Sequence, residues 1–195
     1  MDELPERLKR FWSRYRSCFW TRTRDQSHLA YHYLSAILRM KVKRNFAEIG
    51  RQTGVCGERV QHFMTNSPWT KVGICQQVQA DISCTTALRG GALVLVESAV
   101  AKSGTCSAGA SRQYNGRLGK VDVCQVGVFL TYVKESWWTW VDGELFIPEK
   151  WFDPKFADQR ERAEVPPGLP YKSKVKLGWN MVQRAQLNGL PFDFL

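Results

Sequence analysis

Three sets of side chains in this sequence have types and spacings that could support chemistry. The first is thiol and imidazole: Cys18, Cys56, Cys75, Cys84, Cys106 and Cys124, with His28, His32 and His62. Successive cysteines are 38, 19, 9, 22 and 18 residues apart, so there is no C-x-x-C and the histidines complete no zinc pattern. These thiols read as reduced, small hydrophobes holding no metal. The second set lies within residues 45–66, where Arg51 precedes Glu58, Arg59, Gln61 and His62. Such side chains can reach a DNA groove and its phosphates. The third is a polar, Gly-rich stretch, 102–120, carrying Lys102, Arg112, Gln113, Arg117 and Lys120. These suit contacts to a DNA backbone. The competing reading is that Arg112 and Tyr114 only fix the loop.

Charge points the same way as the second and third sets. The 195 residues hold 28 Lys and Arg against 18 Asp and Glu, a net charge of +10. Residues 1–89 hold 15 of the bases and 7 of the acids, a net of +8, and the rest carry +2. Between Arg7 and Arg24 there are seven basic residues and no acid. Such asymmetry suggests a polyanion partner for the first half, most often nucleic acid. Hydrophobic residues at 44% suffice for a core. No apolar run reaches 18 residues and the N-terminus has no apolar signal core, so a membrane span and a secretory leader are not expected. A soluble intracellular protein is expected.

The elements that must position these side chains change in kind near residue 90. Before it, Leu4, Leu8, Phe11, Tyr15 and Cys18 recur at helical spacing. A second helix is expected from Ser27 as N-cap, carrying Leu29, Tyr33, Ile37 and Met40 to a core. The basic joint 41–44 follows. Residues 45–66 read as a helix-turn-helix, with Phe46 and Ile49 on the first helix, Gly54 as its stop, and Val60, Phe63 and Met64 on the second. A further helix from about Trp69 to Leu88 ends at the linker Arg89-Gly90-Gly91.

After residue 90 strands are expected. Ala92–Val96 is a continuous apolar run, read as a strand buried on both faces. Strands over Val121–Val133 and Trp137–Ile147 follow, and Trp138 and Trp140, on one side of the last, read as core. Residues 148–172 hold five of the eight prolines and read as mostly loop. A helix over Lys174–Asn188 and a strand from Pro191 complete the order. The fold class is therefore a helical N-terminal region followed by an α/β portion with a mixed sheet, divided as 1–89 and 90–195.

One long run of residues resembles a known family. It is Lys102-x-Gly104-x-x-Ser107-Ala108-Gly109-Ala110-Ser111-Arg112-Gln113-Tyr114-x-Gly116-x-x-Gly119-Lys120, followed by Cys124-Gln125-Val126-Gly127-Val128. It is similar to bacterial insertion-sequence transposases of the DDE superfamily. The likeness continues through Glu144-Leu145-Phe146-Ile147-Pro148-Glu149-x-Trp151 and Gly189-Leu190-Pro191-Phe192, and more loosely at Tyr33-Leu34, Ala47-Glu48, Gln61 and Ser67-Pro68-Trp69. The resemblance implies an RNase H-like domain behind a helical DNA-binding region. It implies cutting and joining of double-stranded DNA at element ends, by two Asp and one Glu that converge on two Mg²⁺ ions.

Carried over residue by residue, the catalytic set does not transfer. The first Asp of the family falls on Val96, which cannot ligate a metal. Glu97 matches the following acidic residue, but strand alternation turns it to the other face unless a bulge re-aims it. The second Asp of the family belongs a few residues after the Pro-Phe strand and its Glu farther on, so the chain is expected to be a truncated form. The expectation is a family member that binds double-stranded DNA, holds no Mg²⁺ itself and does not cleave, placed with the nucleoid in a bacterial cytoplasm. Self-association is an open option. The rivals are a non-catalytic DNA-binding protein, such as a repressor derived from a transposase, and a decayed remnant.

Overall fold

The computed structural model describes residues 3–41 and 44–195, with side chains from Glu6 on. Val42 and Lys43 of the basic joint and the side chain of Leu4 lie outside the described residues. The chain separates into two compact units at Gln77/Val78. No helix among the described residues is long and apolar enough to cross a membrane.

The first unit is helical. Helix α1 (Glu3–Tyr15) runs into a 3-10 turn, Arg16–Phe19. Phe11 stacks on Tyr15 and Trp12 on Phe19, which turns the aromatic stripe of α1 into a packing face. Helix α2 (Ser27–Arg39) starts where the sequence expects, but Ser27 is not its cap. The cap position is Gln26, whose side chain makes no cap bond; Asp25 before it supplies the acceptor, its Oδ1 taking the Ser27 N–H at 2.8 Å. Helices α3 (Phe46–Thr53) and α4 (Gly57–Asn66) then pack on α2. Asn45 caps α3, accepting the Glu48 N–H at 2.8 Å. Gly54 ends α3 at φ +71°, the left-handed region where a Cβ is strained. Gly50 and Gly57 let the two helices approach, because a Cβ on Gly50 would sit 2.8 Å from the Gly57 nitrogen. Two apolar clusters hold the unit. One joins Phe19, Leu29, Ala30 and Phe63 to Trp12, Trp69 and Ile74, and the other joins Ala36, Met40, Ile49 and Val60.

Helix α5 (Lys71–Cys84) crosses the division point in the chain, and a 3-10 turn, Thr86–Leu88, follows it. The second unit is a five-stranded mixed sheet with helix α7 on one face. Its strands are β1 (Gly91–Ala101), β2 (Ser111–Asn115), β3 (Lys120–Lys134), β4 (Trp137–Phe146) and β5 (Phe192–Phe194). Strand β3 is the organiser. It pairs antiparallel with β1 along one edge, and with β2 and then β4 along the other, while β5 adds to β1 in parallel.

Helix α7 (Lys174–Leu187) lays Leu177, Met181, Val182 and Ala185 onto Leu93, Val128, Leu130, Tyr132 and Val141. The spacing of those four residues is one helical stripe, and each large side chain so buried contributes about 1.5–3 kcal/mol. The covered face also takes Val78 and Ile82 from the end of α5. Segment 148–172 is not all loop. Two 3-10 turns, Glu149–Phe152 and Pro154–Phe156, and a short helix α6 (Ala157–Arg162) lie in it. Trp151, fully buried, donates its indole N–H toward the Ala110 carbonyl and Ser111 Oγ, both at 3.3 Å.

Two sequence expectations about the sheet are corrected. Strand β1 is buried on one face only: Leu93 packs under α7, whereas Val94 and Val96 are 42% and 41% exposed. Trp138 and Trp140 are not core either, at 62% and 56% exposed. Among the described residues a helix layer covers only the α7 face, and Val94, Val96 and the two tryptophans sit on the open one.

Candidate functional site

Two places assemble the side chains that sequence singles out, one in each unit. In the helical unit, α4 turns Val60 and Phe63 inward and leaves Glu58, Arg59, Gln61, His62 and Thr65 exposed along its opposite side. The 3.6-residue period of the helix does this: 60 and 63 share the buried stripe, and 58, 59, 61, 62 and 65 fall outside it. Neither Arg59 nor His62 forms an ion pair among the described residues. Arg51, on α3, is different, because Glu48 on the same helix holds its guanidinium in a close ion pair. The exposed side of α4 is thus a short polar surface with an uncommitted cation, an amide and an imidazole.

In the sheet unit, Val96 and Glu97 lie mid-strand on β1, paired in register with Phe129 and Val128 of β3. Paired residues share a face and successive residues alternate. Val128 is buried under α7, so Glu97 points to the α7 side and Val96 to the open side. No bulge interrupts β1 here. The bulge is on β4 near Val141, where it turns both Val141 and Asp142 toward α7. Glu97 is bound: Lys174 donates to its carboxylate at 2.6 Å and lies 5.3 Å from the Phe146 ring centroid. The surroundings of Val96 are apolar. The Phe129 ring lies over Gly127 and Gly143, where an added Cβ would meet ring carbons at 2.6 and 2.7 Å, and it stacks on Trp140 at 4.9 Å.

A divalent cation needs converging oxygen ligands. The residues around Val96 do not supply them, and among the described residues no group of three or more His, Cys, Asp or Glu is placed to hold a metal. The other acids of the α7 face are committed. Asp142 accepts from Arg184 Nε at 2.8 Å and from its Nη2 at 2.6 Å, and Glu144 accepts from the same Nη2 at 2.8 Å. Burial works to lower the Arg184 pKa, but the hydrogen bonds and charges of these two carboxylates overcome it and raise the value.

The stretch 102–120 is more ordered than its glycines suggest. Residues 111–115 form β2, which pairs with the start of β3, and a turn at 116–119 closes the hairpin. Arg112 and Tyr114 are exposed on the open face, and Arg117 is exposed in the turn. Lys120 pairs with Asp122 at 3.4 Å, whose carboxyl pKa is lowered chiefly by the Val123 N–H and then by Lys120. Lys102 is half-buried and its backbone N–H joins β1 to the Val123 carbonyl at 2.8 Å. Gln113 is structural in position, donating to the Cys124 carbonyl at 2.8 Å. β2 escapes the sequence reading because Ser-Arg-Gln-Tyr-Asn carries no apolar alternation. Only the identity of the pairing partner makes it a strand.

A cleft in the helical unit also escapes notice at the level of sequence. It is ≈ 410 Å³ in volume, and its lining includes Arg24, Gln26, His28, Arg59, His62 and Ser67. Those residues come from three separate stretches of chain, so no local spacing signals them.

A family model described as DDE superfamily endonuclease matches residues 14–195, a span that takes in both units. No curated protein and no solved structure shows a significant match to the chain.

Proposed function

The chain belongs to the DDE superfamily of endonucleases, and from that membership we propose that it acts in DNA transposition as a double-stranded-DNA-binding protein that does not itself cut. The observation that carries the binding half is the exposed side of α4. Helix α3, a turn at a left-handed glycine and α4 form a helix-turn-helix, and α4 offers Arg59, Gln61 and His62 to a major groove. The net charge of +10 supplies the phosphate attraction. Arg51, held by Glu48, is a backbone contact at most. In the sheet unit Arg112, Arg117, Lys120 and Lys102 are proposed phosphate contacts, and Gln113 is given a structural part.

Endonucleases of this superfamily typically use Mg²⁺. The position of the first Asp holds Val96, and Glu97 is tied to Lys174 on the other face of the strand. These residues do not fit the metal, so no cleavage step is derived through it. The remaining proposals follow from the family: an RNase H-like ancestry for the sheet, element ends as the DNA, and a place with the nucleoid in a bacterial cytoplasm. A repressor derived from a transposase is the same reading in regulatory form.

Binding is tested by fluorescence anisotropy with a labelled duplex over a range of salt. The expected result is a log–log salt dependence of negative slope, reduced by about 1 when Arg59 becomes Ala. A duplex that is not bound at low salt overturns the reading.

A further inference from the structure

The cleft between the start of α2 and the exposed side of α4 is built for more than a groove contact. Its floor is apolar, formed by Leu29 and Phe63, both buried. Its rim carries Arg24 and Arg59, and neither guanidinium has an acid partner among the described residues. The one acid in its lining, Asp25, is already used. It accepts the Ser27 N–H at 2.8 Å and Arg16 Nη2 at 3.0 Å. Two buried polar atoms of the lining have no hydrogen-bond partner: Gln26 Oε1 and Ser67 Oγ.

Buried polar atoms of this kind cost free energy unless a ligand or water meets them. Here they differ in what they need. A carboxamide oxygen can only accept, so Gln26 asks for an N–H or O–H donor. The Ser67 hydroxyl and the two guanidiniums can donate, and together they ask for an anion. A ligand that brings together an anionic group, a flat apolar body and an N–H donor meets these several needs. The volume of ≈ 410 Å³ lies within the range of small-ligand sites.

We infer that this cleft receives one unpaired nucleotide of the bound DNA, its phosphate against Arg24 and Arg59 and its base N–H on Gln26. A base must leave the stack to enter, which costs a few kcal/mol in a fully paired duplex and far less at an end or a bulge. The inference rests on the DNA-binding reading and adds a preference to it: junctions between paired and unpaired DNA are bound more tightly than blunt duplex.

The experiment compares two labelled probes by anisotropy, a blunt duplex and the same duplex with a short single-stranded overhang. The full chain is expected to bind the overhang probe roughly tenfold more tightly, the scale of one or two hydrogen bonds to charged groups. Arg24→Ala, at an exposed position where folding is not at risk, and Gln26→Leu, close in size, should each remove that preference and leave blunt-duplex binding within about twofold of wild type, as expected for contacts the blunt probe does not use. Equal binding of the two probes, or a preference that survives in both variants, overturns the inference while leaving the α4 reading intact. Loss of the preference on adding inorganic phosphate, with a mononucleotide binding as tightly as the overhang, assigns the cleft to a free ligand and also overturns it. If neither probe binds, both readings fall.

Discussion

The exposed side of α4 and the middle of β1 are the two places where this chain could act on DNA, and they differ in how their charges are used. On α4, Arg59 and His62 are exposed and form no ion pair among the described residues. On β1, Val96, the position proposed for the family's first Asp, lies beside Phe129, and the neighbouring Glu97 is closed by Lys174 at 2.6 Å. A side chain already satisfied inside the protein has little left to offer a ligand. The comparison therefore supports the proposal that groove recognition belongs to the helical unit, with the sheet unit adding phosphate contacts at most and holding its own acids in ion pairs.

The largest test of that contrast is Arg184→Ala. It removes a cationic partner from Asp142, whose side chain is 5% exposed, and one from Glu144. Loss of one member of a buried pair is strongly destabilising. Because Arg184 itself is 41% exposed, the cost should be about 2 kcal/mol, read as a lower urea midpoint for loss of strand circular dichroism. An unchanged midpoint would mean that the acids of the sheet are not structural. Next is Arg59→Ala on α4, which should weaken duplex binding roughly tenfold and leave thermal unfolding unmoved. A variant that binds as well as wild type would remove α4 from the interface.

The third effect is smaller and depends on pH. Asp25 accepts the Ser27 N–H at the start of α2 and pairs with Arg16, and its pKa is lowered from 3.8 to about 2. A carboxyl depressed in the folded state stabilises above its unfolded pKa, and that contribution is lost as pH falls through the folded value. The helical unit should therefore lose stability between about pH 4 and pH 2. Asp25 is exposed, so screening reduces the effect to under about 1 kcal/mol. Asp25→Asn should flatten that acid limb, and an identical limb in the variant would refute that role. The smallest effect is Val96→Asp. At a position 41% exposed, it should change stability by no more than about 0.5 kcal/mol. It should yield no Mg²⁺-dependent cleavage, because one carboxylate does not make a site.

The helices were legible because their signal is local. Phe46, Ile49, Val60 and Phe63 mark the buried stripes of α3 and α4, and Gly54 marks the turn. The succession of β1, β3, β4 and β5 and the family signature were legible too. What sequence missed depends on partners distant in the chain. Val94, Val96, Trp138 and Trp140 look like core by composition, and only the placement of α7 on the other face shows that they are open. β2 exists because β3 pairs with it, and the acceptor at the start of α2 is Asp25 because Arg16 and the turn before α2 bring it within reach. The candidate binding surface on α4 could be read residue by residue. The cleft beside it could not, since Arg24, Gln26, Arg59 and Ser67 meet only after folding.

The central claim is binding without cutting, and one electrophoresis experiment addresses it directly. End-labelled duplex is incubated with the full chain in Mg²⁺, and each sample is run both native and denatured. The account expects a shifted band that disappears as salt rises, and full-length strands on the denaturing lane at every protein concentration. Strands shortened in a Mg²⁺-dependent manner would contradict it, and would mean that carboxylates other than those around Val96 form a working site.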